Sequence, residues 1–191
     1  MSGDFETGVK VALEGLDILT KSNHPDTSIK AHLYSLLAYY YNIQGFGSDA
    51  IRAMELAENL ITNNEYWDNP FIAMIYRDYA AVLNRNGYEQ KALEYYEKSE
   101  IILRNEDTPH ELAATLNGKA IIYEDSGKYE KAVEIYEEAL SALEGVELLF
   151  DEEHTIGYIN ANIVHSLLEL GHYEKALLHA ERATAIIAKQ Y

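Results

Sequence analysis

The sequence predicts an all-α fold, an α-solenoid of stacked helical hairpins with about nine helices. Three observations carry that expectation. A six-residue pattern recurs without gaps as Gly45-Phe-Gly-Ser-Asp-Ala50, Gly87-Tyr-Glu-Gln-Lys-Ala92, Gly127-Lys-Tyr-Glu-Lys-Ala132 and Gly171-His-Tyr-Glu-Lys-Ala176. With a weaker copy at Gly3-Asp-Phe-Glu-Thr-Gly8, the glycines step by 42, 42, 40 and 44 residues, and such a period signals a repeat architecture. Each recurring glycine also separates two segments whose apolar residues fall three and four apart, the period of an amphipathic helix. All three prolines of the chain, Pro25, Pro70 and Pro109, stand where the first of those segments begins.

Taken in order, residues 1–22 match only the second helix of a hairpin. Full hairpins are expected over 23–64, 65–106, 107–148 and 149–191, and the whole chain is read as one repeat domain. Within a hairpin the turn glycine tolerates the positive φ needed to stop one helix and start the next. Before Gly127 lies the helical segment Glu111 to Tyr123. After it, from Tyr129 to Leu143, Ala132, Val133, Tyr136, Ala139, Leu140 and Leu143 form one stripe. Proline at a first helical turn loses no hydrogen bond and has its φ preset. Thr108-Pro-His-Glu111 adds a capping box, with Thr108 as N-cap. The connectors over 21–24, 63–69 and 105–108 carry the polar residues expected of turns. The tyrosines at 41, 96, 123, 129, 136 and 173 are expected at packing positions between the helices.

The pattern resembles the tetratricopeptide repeat, a right-handed superhelix of such hairpins. In that family a small residue of helix A packs on an alanine of helix B. The matching pairs are Ala38 with Ala50, Ala80 with Ala92, Ala120 with Ala132 and Val164 with Ala176. The aromatic or leucine late in helix A matches Tyr41, Leu83, Tyr123 and Leu167, and the small residue late in helix B matches Ala57, Ser99, Ala139 and Ala183. The family tryptophan is replaced by Tyr34, Tyr76, Leu116 and Asn160, and Lys119 occupies a usual leucine position. The period of about 42 residues is longer than the family's usual one and is similar to that of kinesin light chains and of the bacterial peptide-sensing RRNPP regulators.

Composition narrows the function. The 191 residues carry 32 acidic against 15 basic side chains, a formal charge of -17, which repels phosphate and argues against direct contact with nucleic acid or an anionic membrane. There is no Cys, so thiol nucleophiles, thiolate metal sites and disulfides are excluded, and a reducing, cytoplasmic setting is expected. No apolar run is long enough to span a bilayer. No phosphate-cradling glycine motif, nucleophile elbow or His-Glu-x-x-His appears, so no catalytic residue, metal or cofactor is expected. His165 and Glu169, one turn apart, are read as surface residues rather than metal ligands. The run Asp151-Glu-Glu-His154 is read as acidic residues favoured by a helix N-terminus.

The expected function is therefore binding, of a peptide or protein partner in the concave groove lined by the A helices. The resemblance places the groove at Tyr39, Asn42, Arg77, Asn84, Arg85, Asn117, Glu124, Tyr158, Asn162 and His165. Asparagine amides both donate to and accept from a peptide backbone, and two arginines in so acidic a chain suit a carboxylate. The competing expectation is that the arginines pair with Asp78 or with other acids. A cationic or neutral peptide suits the overall field. The alternative is an assembly scaffold, or a homodimer through terminal helices that lack polar outer faces. A fragment of a larger peptide-sensing regulator is expected on the same ground.

Overall fold

The computed structural model describes residues 2–22, 27–62, 69–146 and 153–188. Among these residues there are nine helices and no strand: α1 Ser2–Lys21, α2 Thr27–Ile43, α3 Gly47–Thr62, α4 Asn69–Arg85, α5 Glu89–Leu103, α6 Pro109–Asp125, α7 Tyr129–Ala142, α8 Glu153–Glu169 and α9 Tyr173–Ile187. Pro25, residues 23–24 and 63–68 of the expected connectors, and residues 151–152 of the acidic run lie outside the described residues.

The recurring glycine makes the same turn four times. Gly45, Gly87, Gly127 and Gly171 have φ between +71° and +83°, where a side chain would be strained. The amide after each glycine donates five residues back, as Phe46 N to Tyr41 O at 2.9 Å and His172 N to Leu167 O at 2.8 Å. These bonds satisfy carbonyls that the helix end would otherwise leave open. Gly3 makes no such turn, because α1 already begins at Ser2 and runs through it.

The chain divides into two compact units, Met1–Ser99 and Glu100–Tyr191. In the first, α1 packs on α2, α2 on α3, and α2 and α3 on α4. Alanines at the crossings are wholly buried, among them Ala38, Ala50, Ala80 and Ala92. A Cβ on Gly8 would fall within 2.3 Å of the Tyr40 ring, so glycine there lets α1 approach α2 closely. Ser99 takes the small position late in α5 and donates its hydroxyl to Ala73 O at 2.8 Å. In the second unit α6 packs on α7, α7 on α8, α8 on α9, and α6 on α8. Its core joins Leu116, Ala120, Ala132, Ile135, Tyr136, Ala139, Ile159, Ile163 and Leu167.

Two local expectations are corrected. Thr108 is the N-cap of α6, but its ψ of 63° directs the hydroxyl away from the first-turn amides; it makes no capping bond and is buried without a partner. Tyr173 is 69% exposed, because it opens α9 on the side away from the crossing. Asn160 stands at the family's tryptophan position. It is buried, donating Nδ2 to Ile156 O at 2.7 Å and accepting on Oδ1 from His179 Nδ1 at 2.8 Å.

Lys119, the other departure, ends beside Glu100 at 2.7 Å, both side chains largely covered. Arg104 joins Glu100 at 2.6 Å and reaches Glu138 as well. Burial pushes the Glu100 carboxyl up, but hydrogen bonds from Lys119 and Arg104 outweigh it and hold the group below the ordinary carboxylate range.

Candidate functional site

The first helices of successive hairpins contact one another within each unit, α2 with α4 and α6 with α8. Both faces are crossed by side-chain rungs. On the α2–α4 face Ser35 Oγ donates to Asp78 Oδ2 at 2.7 Å, and Asn86 Nδ2 donates to Asn42 Oδ1 at 3.0 Å. On the α6–α8 face Asn162 Nδ2 donates to Asn117 Oδ1 at 3.0 Å, Ser166 Oγ donates to Glu124, and His110 Nε2 lies 2.8 Å from Thr155 Oγ1. Partners stand 42 to 45 residues apart, one repeat period. The repeat length thus brings like positions of neighbouring hairpins into register.

Between α2 and α4 lies a groove of about 330 Å³ lined by His32, Ser35, Leu36, Tyr39, Asn42, Met54, Asp78, Ala81 and Val82. Its wall is mostly hydrocarbon, with Asp78 as its carboxylate. Tyr39 stands at the edge, 56% exposed, its ring edge-on to Tyr40. The bond from Asn86 uses the Asn42 oxygen and leaves the Asn42 amide nitrogen to donate elsewhere.

The α4 residues divide by exposure. Arg77 is partly covered, with Nη2 3.5 Å from Asp78 Oδ1. Burial pushes the neighbouring Tyr96 hydroxyl far up, with Arg77 drawing it down and Asp78 raising it further. Arg85 is exposed in the last turn and pairs with no described residue, and Asn84 is half-buried. The two arginines therefore do not form a matched clamp: Arg77 is held by Asp78, as the competing expectation had it.

In the second unit the exposed stripe of α8 runs through Tyr158, Ala161, His165 and Leu168. Tyr158 is 59% exposed. His165 lies edge-on to Tyr129, ring centres 5.8 Å apart. Asn117 and Asn162 share one hydrogen bond, which leaves a donor on Asn117 and an acceptor on Asn162. Glu124, Asp125 and Glu169 form no ion pair with a described residue, so this face is negative.

Of the expected positions, Tyr39 and Asn42 meet in the α2–α4 groove, and Asn117, Glu124 and Asn162 meet in the α6–α8 rungs. Arg77, Asn84, Arg85, Tyr158 and His165 stand outside those rungs. Asn86, Met54 and Ser166 were not anticipated. Asn86 showed only as the residue before a turn glycine, and Met54 only as one more apolar residue of a helical stripe. Among the described residues no helix is long and apolar enough to cross a membrane.

Comparison with known proteins agrees with this geometry. Residues 71–145 match the family model described as tetratricopeptide repeat. The photosystem I assembly protein Ycf3 of Prochlorococcus marinus (strain NATL2A) is 33% identical over 96 residues, 47% of this chain and 53% of that protein. The chain thus spans about half the length of the curated relative it matches. Among solved structures, BtubC of P. vanneervenii superposes with a TM-score of 0.79 at 22% identity, over 95% of this chain and 73% of that one. A Rap protein complexed with competence and sporulation factor superposes at 0.66 with 16% identity, over 97% of this chain and 59% of that one. The four glycine turns of one design and the period of about 42 residues agree with these matches: residues 71–145 carry the tetratricopeptide repeat pattern, and the solved structures share the fold of stacked helical hairpins.

Proposed function

We propose that the chain is a non-catalytic binding module that holds an extended peptide, or an extended segment of a protein, against the faces of its A helices. The observation that carries this reading is the pair of asparagine rungs. A peptide unit offers one N–H and one C=O, and Asn117 with Asn162 offers one donor and one acceptor side by side. Asn42 offers a donor in the same way beside the apolar groove. Tyr39, Tyr158 and His165 supply exposed rings beside these amides. Arg85, with Asn84 next to it, takes a ligand carboxylate, Arg77 is engaged with Asp78, and Glu124 receives a cation. In the finer form of this reading the chain is the peptide-sensing part of an RRNPP-like regulator in the cytoplasm. The repeat length and the likeness to a Rap protein solved with a bound factor support it.

A second reading, an assembly scaffold that docks partners or a second copy through its terminal helices, is favoured by exposed apolar residues there. Val11, Leu13 and Ile18 lie open on α1, and Leu177 and Leu178 on α9. Titration with a randomised peptide library separates the two. The first reading expects saturable peptide binding that Asn42→Ala and Asn117→Ala weaken. Saturable partner binding indifferent to both substitutions but lost with Leu177→Ser would favour the second.

A further inference from the structure

One side chain under the α2–α4 groove differs in size from its counterparts in the next two hairpins. Four residues after the first buried alanine of helix B, the second and third hairpins place Tyr96 and Tyr136, four after Ala92 and Ala132. Both tyrosines are buried, Tyr136 completely. The first full hairpin places Met54 there, four after Ala50, and the fourth places Ala180, four after Ala176; Met54 is itself completely buried and underlies the groove of about 330 Å³ between α2 and α4. Methionine is slimmer than tyrosine, unbranched and adaptable, so it forms a soft wall where a ring would occupy the space.

We propose that Met54 opens a side-chain pocket that selects a ligand segment carrying a leucine- or methionine-sized side chain next to a lysine or arginine; this deepens the binding reading above and rests on it. The size follows from the volume, which lies at the low end of the range for ligand pockets and suits one anchoring side chain rather than a folded element. The apolar preference follows from Leu36, Met54, Ala81 and Val82 in the lining. The basic neighbour follows from charge. Asp78 is the carboxylate of the lining, and its bonds from Ser35 and, at 3.5 Å, from Arg77 leave acceptor sites unused. The exposed Tyr39 ring offers a face to the same cation, and the chain's charge of -17 draws a basic segment in. The free Asn42 amide donates to the segment's backbone, which fixes the anchor's depth.

The test is selection from a randomised display library on the wild type, on Met54→Tyr and on Met54→Leu, followed by fluorescence anisotropy on the selected peptides. Met54→Tyr installs the residue that the second and third hairpins already carry, so its circular dichroism and Tm are expected to match the wild type. Wild-type selections enriched in Leu or Met beside Lys or Arg are expected. These peptides should bind Met54→Tyr at least about tenfold more weakly, keep their affinity for Met54→Leu, and lose about tenfold when the anchor becomes glycine. Selected peptides that bind Met54→Tyr as well as the wild type, yet are lost with Asn42→Ala, would overturn the pocket and leave the binding reading intact. Enrichment of acidic sequences would overturn the pocket's charge preference. No enrichment over bare support on the wild type would overturn both. If Met54→Tyr fails to fold, the glycine-anchor peptides on the wild type decide: undiminished binding refutes the pocket.

Discussion

The amide of Asn86 donates to Asn42 Oδ1 at 3.0 Å and, through the same nitrogen, to Val82 O at 2.7 Å. Its own oxygen lies over Gly47, where an added Cβ would come within 1.7 Å of it. One side chain thus ties the end of α4 to the end of α2 and uses the missing side chain at the start of α3 as its seat. Gly47→Ala is therefore expected to expel the amide, breaking the bond to Asn42 and costing about 1–2 kcal/mol. Urea unfolding of Gly47→Ala, Asn86→Ala and the double variant checks this. If the seat argument holds, the two losses will not add.

Asn117 and Asn162 share a single, partly buried hydrogen bond. Each alanine substitution is expected to cost about 1 kcal/mol, with a coupling of similar sign in a double-mutant cycle. Ligand affinity is expected to fall in both single variants by more than the stability loss explains. Unchanged affinity for a selected peptide would remove these residues from the site.

Two buried tyrosines should respond oppositely to loss of the hydroxyl. Tyr136 is completely buried and its hydroxyl has no partner, so Tyr136→Phe removes a desolvated polar atom and is expected to be neutral or stabilising by about 1 kcal/mol. Tyr95 donates to Glu58 at 2.8–2.9 Å, with Lys98 4.1 Å from its ring centre. Tyr95→Phe is expected to destabilise by about 1–2 kcal/mol, since it strips a carboxylate of its donor. Thermal melts of the two variants under identical conditions test the contrast.

His179 makes stability depend on pH. Burial holds its pKa below the ordinary value, with Arg182 and Lys175 pushing the same way and Glu137 opposing. Asn160 presents Oδ1 because its Nδ2 is bonded to Ile156 O, so His179 Nδ1 carries a proton, and the lowered pKa favours the neutral ring in the fold. The unfolded chain then binds more protons than the native one between the depressed pKa and about 6.5. Stability should be fully present above about 6.5 and fall as pH drops through that window. The expected result is a Tm that declines from pH 7.5 to 5.5 in the wild type and declines less in His179→Gln. A decline of equal size in both would exclude His179 as the cause.

Lys119 stands where the family places a leucine, and the Glu100 carboxylate is what it serves. Lys119→Leu is expected to leave Glu100 with Arg104 alone and to cost about 1–3 kcal/mol at neutral pH. Because Glu100 is held below the usual carboxylate range, its contribution is present above the unfolded pKa and lost as pH falls through the folded one. The wild type and Lys119→Leu should therefore converge in stability toward acid pH. Urea midpoints at pH 7 and at pH 4 measure the convergence.

Much of the fold was legible because its determinants are local. A glycine that must take positive φ, a proline at a first turn and apolar residues three and four apart each act within a few residues of sequence. Ala38, Ala50, Ala120 and Ala132 were recognisable as crossing residues through the resemblance to the tetratricopeptide repeat, whose close helix approach admits little else. The site was legible only as a face. Asn42, Asn117 and Asn162 could be placed on it through the resemblance. That Asn117 and Asn162 bond to each other, or that Arg77 leans on Asp78, depends on side-chain directions that periodicity does not encode.

The sequence alone settles that this chain is a series of about nine helices hinged at recurring glycines, because turn chemistry and helical period are properties of neighbours along the chain. It also settles the acidic field, because charge is additive whatever the arrangement. Which polar groups are spent on one another and which stay open is decided across a 42-residue separation, by helices brought side by side. Met54 and Tyr136 hold the same place in different hairpins and both are completely buried, yet only packing decides that a groove lies over Met54.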